Sequence, residues 1–413
     1  MTTALVLSGG GARGAYEAGV LRWLREALPL ATGAQPRVDI VSGTSIGAIN
    51  ACFIAATAHA PERQAAILAD VWLSLSLPDV FRWGALALSG LPRYAWRKIR
   101  EHRARRLGWR FSDLVHPEAL ARMVRERIDW GRLHDNVALG RLEALTVTAT
   151  HLGTGRSVVF VETARPLPPW GRDPLVEVRA TRIGPDHALA SGSIPLLFPP
   201  VRLDGGWYAD GSLRQSTPLS PALRLGADRV LVVGLSHEAA VSPNAGSPEA
   251  EEEPSTVEQL GRLLSALLLD RVEVELDRLR RTNAVLDEGE RAFGPDFAHR
   301  VAVLTEHQMG VPLRRVRDLV LRPSVDLSAV AREHAGRAAD ALGSGTLAAR
   351  LLRRAAEERA APDGAADLAS YLLFDREYAG ELMALGYQDA ARRADDLAAF
   401  FAEPDTGARS VRG

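Results

Sequence analysis

The sequence predicts an α/β fold in which a mostly parallel central sheet carries helices on both faces, followed by a helical C-terminal region. Short apolar runs at 4–7 and 38–41 are each followed by a glycine-containing turn and then by a helical pattern. Because parallel strands need long, usually helical connections, this β-α-β-α order predicts parallel strands covered by helices. Residues 326–400 are rich in Ala, Leu and Arg and predict further helices.

The remaining elements are assigned in chain order. Apolar residues recur at helical spacing over 16–28, and a buried helix is expected from Ile46 to about 58. Asp204-Gly205-Gly206 separates two short β-type runs and is predicted to turn a hairpin. A helical stretch is expected from 260 to about 290. Other strands are expected at 142–150, 157–162, 229–235, 301–304 and 319–322.

The composition restricts the class of protein. The 413 residues are 46% hydrophobic and 24% charged, with a formal net charge of −1, which is typical of a globular protein with one or two domains. The balanced charge argues against nucleic acid as the main partner. Cys52 is the only cysteine, so no intramolecular disulfide can form. We recognise no signal peptide and no membrane-spanning stretch, and we therefore expect a cytoplasmic protein.

Gly43-Thr44-Ser45-Ile46-Gly47 stands between the second strand and the helix that follows it. A serine between two glycines at such a junction is typical of a nucleophilic hydroxyl on a tight turn, because close strand–helix approach excludes larger residues. The positive end of the helix dipole would favour negative charge developing beside the hydroxyl. The alternative on this motif alone is a plain strand-to-helix turn.

A glycine-rich loop follows the first strand. Successive glycines leave backbone N–H groups free to point at one oxygen, so the loop is predicted to supply an oxyanion hole. The alternative is a dinucleotide-binding loop, which requires an acidic residue at the end of the second strand. Asp39 lies inside that strand and fits this role poorly. The residues of the predicted oxyanion loop are Gly9, Gly10, Gly11, Ala12, Arg13 and Gly14.

A nucleophilic serine also needs a base. Histidine is the usual base, and His187 and His237 are the best placed downstream, but neither stands in a recognisable constellation. The other candidate is Asp210, which follows the returning strand of the predicted hairpin and opens a new loop. Asp204, by contrast, lies in the hairpin turn itself. The alternative for Asp210 is a turn or N-cap residue.

Three ordered motifs resemble those of the patatin-like phospholipases. They are Gly9-x-Gly11-x-x-Gly14, Gly43-x-Ser45-x-Gly47 and Asp210-Gly211. The run 191–200 and Pro218 add to the resemblance, which covers about residues 3–235. The family implies a three-layer α/β/α sandwich with a mostly parallel central sheet.

The resemblance also implies roles for individual residues. Ser45 would be the nucleophile and Asp210 its general base, in a dyad without histidine. Arg13 would brace the oxyanion loop or meet a phosphate. The nucleophile elbow would consist of Gly43, Thr44, Ile46 and Gly47, and the loop of the base would include Gly211 and Ser212. Two departures stand beside the base: Ser212 replaces a common Gly or Ala, and Gln215-Ser216 replaces a common Asn.

The activity implied by the resemblance is hydrolysis of lipid carboxylic esters through an acyl-serine, as in phospholipase A or lysophospholipase. The alternatives are an acyltransferase that uses the same acyl-serine, or a non-catalytic membrane- or nucleotide-binding protein. No cofactor or metal is expected, because no His, Cys, Asp and Glu residues have metal-ligand spacing. The expected partners are a lipid or lysolipid ester and a peripheral membrane contact, with no nucleic acid.

Two further segments complete the expected organisation. Over 79–110, tryptophans and other apolar residues are interleaved with arginines. Trp96 and Arg97 are candidates for a lid or for contact with anionic lipid at the inner membrane surface. The alternative is a solvated helix with its tryptophans inward. Residues 241–256 are polar, acidic and interrupted by prolines, which predicts an exposed linker. We therefore expect a catalytic domain at 1–240 and a mainly helical C-terminal region at 257–413.

Overall fold

The computed structural model describes residues 1–77, 82–83, 115–116, 118–170, 173–195, 198–215, 217–237, 272–309, 311–342, 347–357 and 365–402. Its strands are β1 (Thr3–Leu7), β2 (Ile40–Thr44), β3 (Arg82–Trp83), β4 (Val115–His116), β5 (Ala144–His151), β6 (Arg156–Thr163), β7 (Val176–Ala180), β8 (Val201–Leu203), β9 (Gly206–Asp210), β10 (Arg229–Val233) and β11 (Arg317–Leu321). Within the described residues, nine strands form one sheet in the order β11-β10-β1-β2-β5-β6-β7, with β9 beside β5 and β8 beside β9. Neighbours in that order are parallel except β5 and β6, which confirms the mostly parallel sheet.

Helices cover both faces of this sheet. Along β1, Leu5 and Leu7 belong to one core, whereas Ala4 and Val6 belong to a second core on the other face. The three-layer arrangement predicted from the sequence is therefore confirmed. The helices are α1 (Ala15–Glu26), α2 (Leu28–Thr32), α3 (Ile46–Ala56), α4 (Pro61–Ser74), α5 (Glu118–Arg127), α6 (Trp130–Ala138), α7 (Pro185–Ser191), α8 (Leu219–Arg224), α9 (Val272–Phe293), α10 (Phe297–Met309), α11 (Leu327–Ala341), α12 (Leu347–Glu357), α13 (Ala365–Leu372), α14 (Arg376–Arg392) and α15 (Ala394–Phe401).

Two strands share one edge of β5 and approach each other end to end. Strand β2 pairs with the first part of β5 and ends with Thr44 opposite Thr148. Strand β9 pairs with the last part of β5 in the opposite direction and ends with Asp210 opposite Ala149. The carboxyl ends of β2 and β9 therefore meet at adjacent positions of the same neighbour.

The predicted hairpin is present. Strands β8 and β9 are antiparallel, with Leu203 opposite Gly206. The two residues between them, Asp204 and Gly205, both have positive φ, 47° and 83°. Positive φ at both central positions is the geometry of the type I′ turn, which favours Asp-Gly and fits the twist of paired strands. The turn sends β9 back along β5 and so brings Asp210 to the end of β2.

The C-terminal region contributes to both the sheet and the helical layers. Strand β11 extends the sheet beside β10, close to the predicted short strand at 319–322. The expected strand at 301–304 is wrong, because these residues lie within α10. A short apolar run fits a helix as well as a strand when it is read without its tertiary partners.

Close helix packing joins the C-terminal region to the first helix. A Cβ at Gly19 in α1 would overlap the carbonyl oxygen of Met383 in α14, and a Cβ at Gly386 in α14 would overlap the carbonyl oxygen of Tyr16. The Arg229 side chain on β10 donates from Nη1 to the carbonyl of Phe400 at 2.6 Å. Helices α14 and α15 are therefore fixed to the N-terminal part of the chain.

Several sequence predictions fall on residues outside the described ranges. These are Trp96 and Arg97, most of the basic aromatic segment and the acidic linker at 241–256. At the borders of the basic segment, β3 and β4 form an antiparallel pair. In the part of the chain that is described, no helix combines the length and apolar character needed to cross a bilayer.

Candidate active site

Ser45 occupies a strained turn between β2 and α3. Its φ of 56° and ψ of −127° are rarely adopted by residues other than glycine. Gly43 and Gly47 allow the turn, because a Cβ at Gly43 would lie 2.6 Å from the amide nitrogen of Ala48 and one at Gly47 would lie 2.5 Å from the carbonyl oxygen of Leu7. The flanking residues Thr44 and Ile46 are buried, which fixes the turn on both sides.

The side chains of Ser45 and Asp210 form a direct hydrogen bond. The Ser45 hydroxyl donates to Oδ2 of Asp210 over 2.6 Å, across 165 residues of sequence. The pairing of β2 and β9 with β5 produces this contact, since it places Thr44 and Asp210 opposite Thr148 and Ala149. Among the described residues, Asp210 is the side chain that accepts a hydrogen bond from the Ser45 hydroxyl.

Asp210 is fully buried, and burial changes its acid–base behaviour. Loss of solvent raises the pKa of its carboxyl group to about 6, although hydrogen bonds from Ser45 and Ser212 oppose the rise. The amide of Ser212 donates to Oδ1 at 2.7 Å, so each carboxylate oxygen accepts a hydrogen bond. At neutral pH the group is ionised, yet it is a stronger base than an ordinary aspartate.

The glycine-rich loop borders Ser45. A Cβ at Gly9 would lie 3.0 Å from the Cβ of Ser45. Among the described residues, the amides of Gly9, Gly10 and Gly11 donate to no other backbone carbonyl. A 3₁₀ helix at Gly11–Gly14, which includes the buried Ala12, then leads directly into α1. The loop can therefore present free N–H donors beside the serine, as an oxyanion hole requires.

Arg13 lies in this loop but reaches a C-terminal helix. Its Nε donates to Oγ of Ser370 at 2.7 Å and its Nη1 donates to the Tyr371 hydroxyl at 3.0 Å. Its Nη2 forms an ion pair with Asp367. All three guanidinium nitrogens have protein partners on α13, so the Arg13 side chain connects the loop to that helix.

Two serines that sequence reasoning left without a role support the Ser45–Asp210 pair. Ser191 accepts a hydrogen bond from the Ser45 amide at 2.8 Å and donates to the Thr148 carbonyl at 2.6 Å. The Ser193 carbonyl accepts from the Asp210 amide at 2.8 Å. The available signal was the serine-containing run at 191–200, but its contacts depend on how α7, β5 and β9 come together.

The other sequence candidates take no part in the hydrogen bond between Ser45 and Asp210. Nδ1 of His187 accepts from the Gly184 amide at 3.0 Å, and burial lowers the pKa of this histidine. His237 interacts through Nε2 with the Ser324 carbonyl at 3.2 Å. Asp204 is exposed in its turn. Asp39, the acidic residue weighed for the dinucleotide-binding alternative, accepts a hydrogen bond from the Thr3 amide at 2.8 Å.

Ser212, one of the departures from the family pattern, lies inside the site. Its hydroxyl is buried and meets no hydrogen-bond partner of good geometry among the described residues. It is nevertheless close enough to Asp210 to lower the pKa of that carboxyl. A Cβ at Gly9 would overlap this hydroxyl, and one at Gly211 would lie 2.8 Å from the carbonyl carbon of Thr148. Ser212 therefore fills the space between the base and the glycine loop.

The fold and the site together define an α/β protein with a buried serine–aspartate pair at the end of a parallel strand. Residues 5–223 match the family model described as patatin-like phospholipase, and the chain belongs to that family. The matched range contains Ser45, Asp210 and the glycine loop. Among solved structures, the chain is similar to VipD from Legionella pneumophila, at 13% sequence identity and a TM-score of 0.34, over 96% of this chain and 67% of VipD.

Proposed function

We propose that this protein is a serine acyl hydrolase that cleaves the carboxylic esters of phospholipids or lysophospholipids. The observation that carries the proposal is the 2.6 Å hydrogen bond from the Ser45 hydroxyl to the buried carboxylate of Asp210. Membership of the patatin-like phospholipase family supports a lipid ester as the substrate class. The free amides of the glycine loop beside Ser45 support an acyl-transfer reaction.

In this mechanism, Oγ of Ser45 forms a bond to the ester carbonyl carbon while its proton passes to Asp210. The carbonyl oxygen becomes an oxyanion, which the amides of the glycine loop stabilise. Collapse of the tetrahedral intermediate breaks the bond to the alcohol, and Asp210 returns the proton to the leaving oxygen. Water then attacks the acyl-serine in the same way and releases the fatty acid.

The buried carboxylate suits this role better than an exposed one. Because burial raises the pKa of Asp210 to about 6, the gap between the pKa values of the base and the serine hydroxyl is narrower than for an ordinary aspartate. The transfer remains uphill, so proton transfer has to be concerted with attack on the carbonyl. The oxyanion donors then supply a large part of the barrier reduction.

The test is labelling by a fluorophosphonate probe, with hydrolysis of a soluble ester measured in parallel. Ser45→Ala should abolish labelling, because it removes the nucleophile. Asp210→Asn should lower kcat by about 10²–10⁴-fold, the usual contribution of a general base. Asp204→Asn is the matched control, since its carboxylate lies in the exposed turn of the same hairpin, and it should behave as wild type.

The outcomes separate the candidate functions. If folded Ser45→Ala and Asp210→Asn both keep near-native ester hydrolysis, the assignment of the dyad is wrong. If Asp204→Asn is inactive, the role of the base would be reassigned to Asp204. A panel of phospholipids and lysophospholipids then identifies the ester position. Transfer of the acyl group to an added alcohol, in preference to water, would identify an acyltransferase that uses the same acyl-serine.

A further inference from the structure

We propose that Asp367, Ser370 and Tyr371 of α13 are positioning residues for the oxyanion loop and act on it through Arg13. These three residues lie outside the range 5–223 that matches the family model. The inference rests on the proposed acyl-hydrolase function, because it assigns these residues to the rate of that reaction. It makes a helix of the C-terminal region part of the catalytic apparatus.

The first argument is the number and quality of the contacts at Arg13. The guanidinium bonds to both hydroxyls, on Ser370 and Tyr371, and pairs with the Asp367 carboxylate. It also stacks on the Tyr371 ring, with its central carbon 3.9 Å from the ring centroid. The Arg13 side chain is only 7% exposed, and a buried cation is stable only when its partners satisfy it. The guanidinium therefore has one well-defined position.

The second argument is a direct backbone contact at the loop. Gly11 has a φ of 56°, and a Cβ there would overlap the Tyr371 carbonyl oxygen and lie 3.1 Å from its carbonyl carbon. The main chain of the loop therefore packs against the main chain of α13. Two residues of the loop, Gly11 and Arg13, are fixed by the same helix.

The third argument links this position to the chemistry. The amides of Gly9, Gly10 and Gly11 have to lie within hydrogen-bond distance of an oxyanion that exists only in the transition state. Displacement of catalytic groups by about 1 Å can cost roughly 10²-fold in rate. Arg13 lies two residues after the last of these amides, in the same 3₁₀ helix as Gly11, so a shift of its guanidinium is transmitted to them through a short, tightly wound segment.

The test uses two variants that remove one interaction each. Tyr371→Phe removes the hydroxyl that Arg13 contacts and keeps the ring, and Asp367→Asn removes the charge and keeps the shape. Asp375→Asn is the matched control: it removes a carboxylate charge from the N-cap of α14, and asparagine caps a helix equally well. We measure the rate of fluorophosphonate labelling at Ser45, kcat and KM for a soluble short-chain ester, the pH profile and the thermal unfolding midpoint.

Both variants should lower kcat and the labelling rate by about 10- to 100-fold. The KM should stay as in wild type. The pH at which the rate falls on the acidic side of the pH profile should also stay as in wild type, because the base is unchanged. Asp375→Asn should match wild type. A purely structural role would instead lower the unfolding midpoint and the labelled fraction, with an unchanged rate per labelled molecule.

Failure of this inference is distinguishable from failure of the proposed function. If wild type is labelled at Ser45 and both variants react within about twofold of it, the positioning role is wrong and the hydrolase assignment stands. If wild type is not labelled, the hydrolase assignment fails and this inference fails with it. Should Asp367→Asn not fold, Tyr371→Phe alone decides, because it deletes one hydroxyl and leaves the packed ring.

Discussion

At the scale of single residues, the acid–base behaviour of Asp210 sets the expected pH dependence. Burial raises the pKa of this carboxyl group to about 6. In the proposed mechanism Asp210 accepts the proton of Ser45, and below that pH the protonated carboxyl group cannot do so. The rate of ester hydrolysis should therefore fall as pH decreases through about 6.

Ser212 offers a direct test of this assignment. Its hydroxyl lowers the pKa of Asp210, so Ser212→Ala should raise that pKa further. A smaller fraction of Asp210 is then ionised at each acidic pH, and the acid limb of the kcat/KM profile moves to higher pH. At higher pH the carboxylate is ionised in both proteins, so the rate there should stay close to that of wild type.

The control for this experiment is Ser74→Ala, which deletes a hydroxyl that donates to the Val71 carbonyl in α4. It should leave the acid limb unchanged. An acid limb that moves to lower pH in Ser212→Ala, or equally in both variants, would contradict the role of Asp210 as the titrating base.

At the scale of elements, the junction of β2 with α3 depends on the absence of a side chain at Gly47. A Cβ there would lie 2.5 Å from the Leu7 carbonyl oxygen, and backbone cannot move aside as a flexible side chain can. Gly47→Ala should therefore destabilise the protein by about 1–3 kcal/mol or more. Denaturant unfolding measures the change.

Gly336→Ala is the comparison for this prediction. Gly336 lies inside α11, and the atom nearest to a new Cβ is 3.7 Å away. Alanine is the better helix former, so this variant should gain about 0.5–1 kcal/mol. Equal effects of the two substitutions would show that the close approach at Gly47 does not limit the fold.

The elements also show what the sequence could and could not predict. Local chemistry determined the Ser45 turn and the Asp204-Gly205 hairpin, so both were predictable from a few residues. The hydrogen bonds of Ser191 and Ser193 were not, because they depend on how α7, β5 and β9 come together. The expected strand at 301–304 is wrong, because a short apolar run fits a helix as well as a strand and these residues lie within α10.

At the scale of the whole molecule, the crossing of α1 and α14 holds the C-terminal region against the N-terminal part of the chain. At Gly386, a Cβ would overlap the Tyr16 carbonyl oxygen and lie 3.0 Å from the Val20 nitrogen. Gly386→Ala should therefore separate the two helices and destabilise the protein by about 1–3 kcal/mol. The thermal unfolding midpoint should fall accordingly.

The matched control is Gly380→Ala in the same helix, where the nearest atom to a new Cβ is the terminal carbon of Leu73 at 3.8 Å. This variant should be neutral or slightly stabilising, since alanine favours the helix. If Gly386→Ala is as stable as Gly380→Ala, the crossing is not as tight as the structure indicates.

The pairing of Arg13 with Asp367 also has a consequence for biosynthesis. The two residues are 354 positions apart, and the ribosome makes the glycine loop first. At about 5–20 residues per second, the loop exists for roughly 20–70 s before its C-terminal partners are synthesised. During translation, the nascent N-terminal part therefore carries Ser45 and Asp210 without the helix that braces their neighbouring loop.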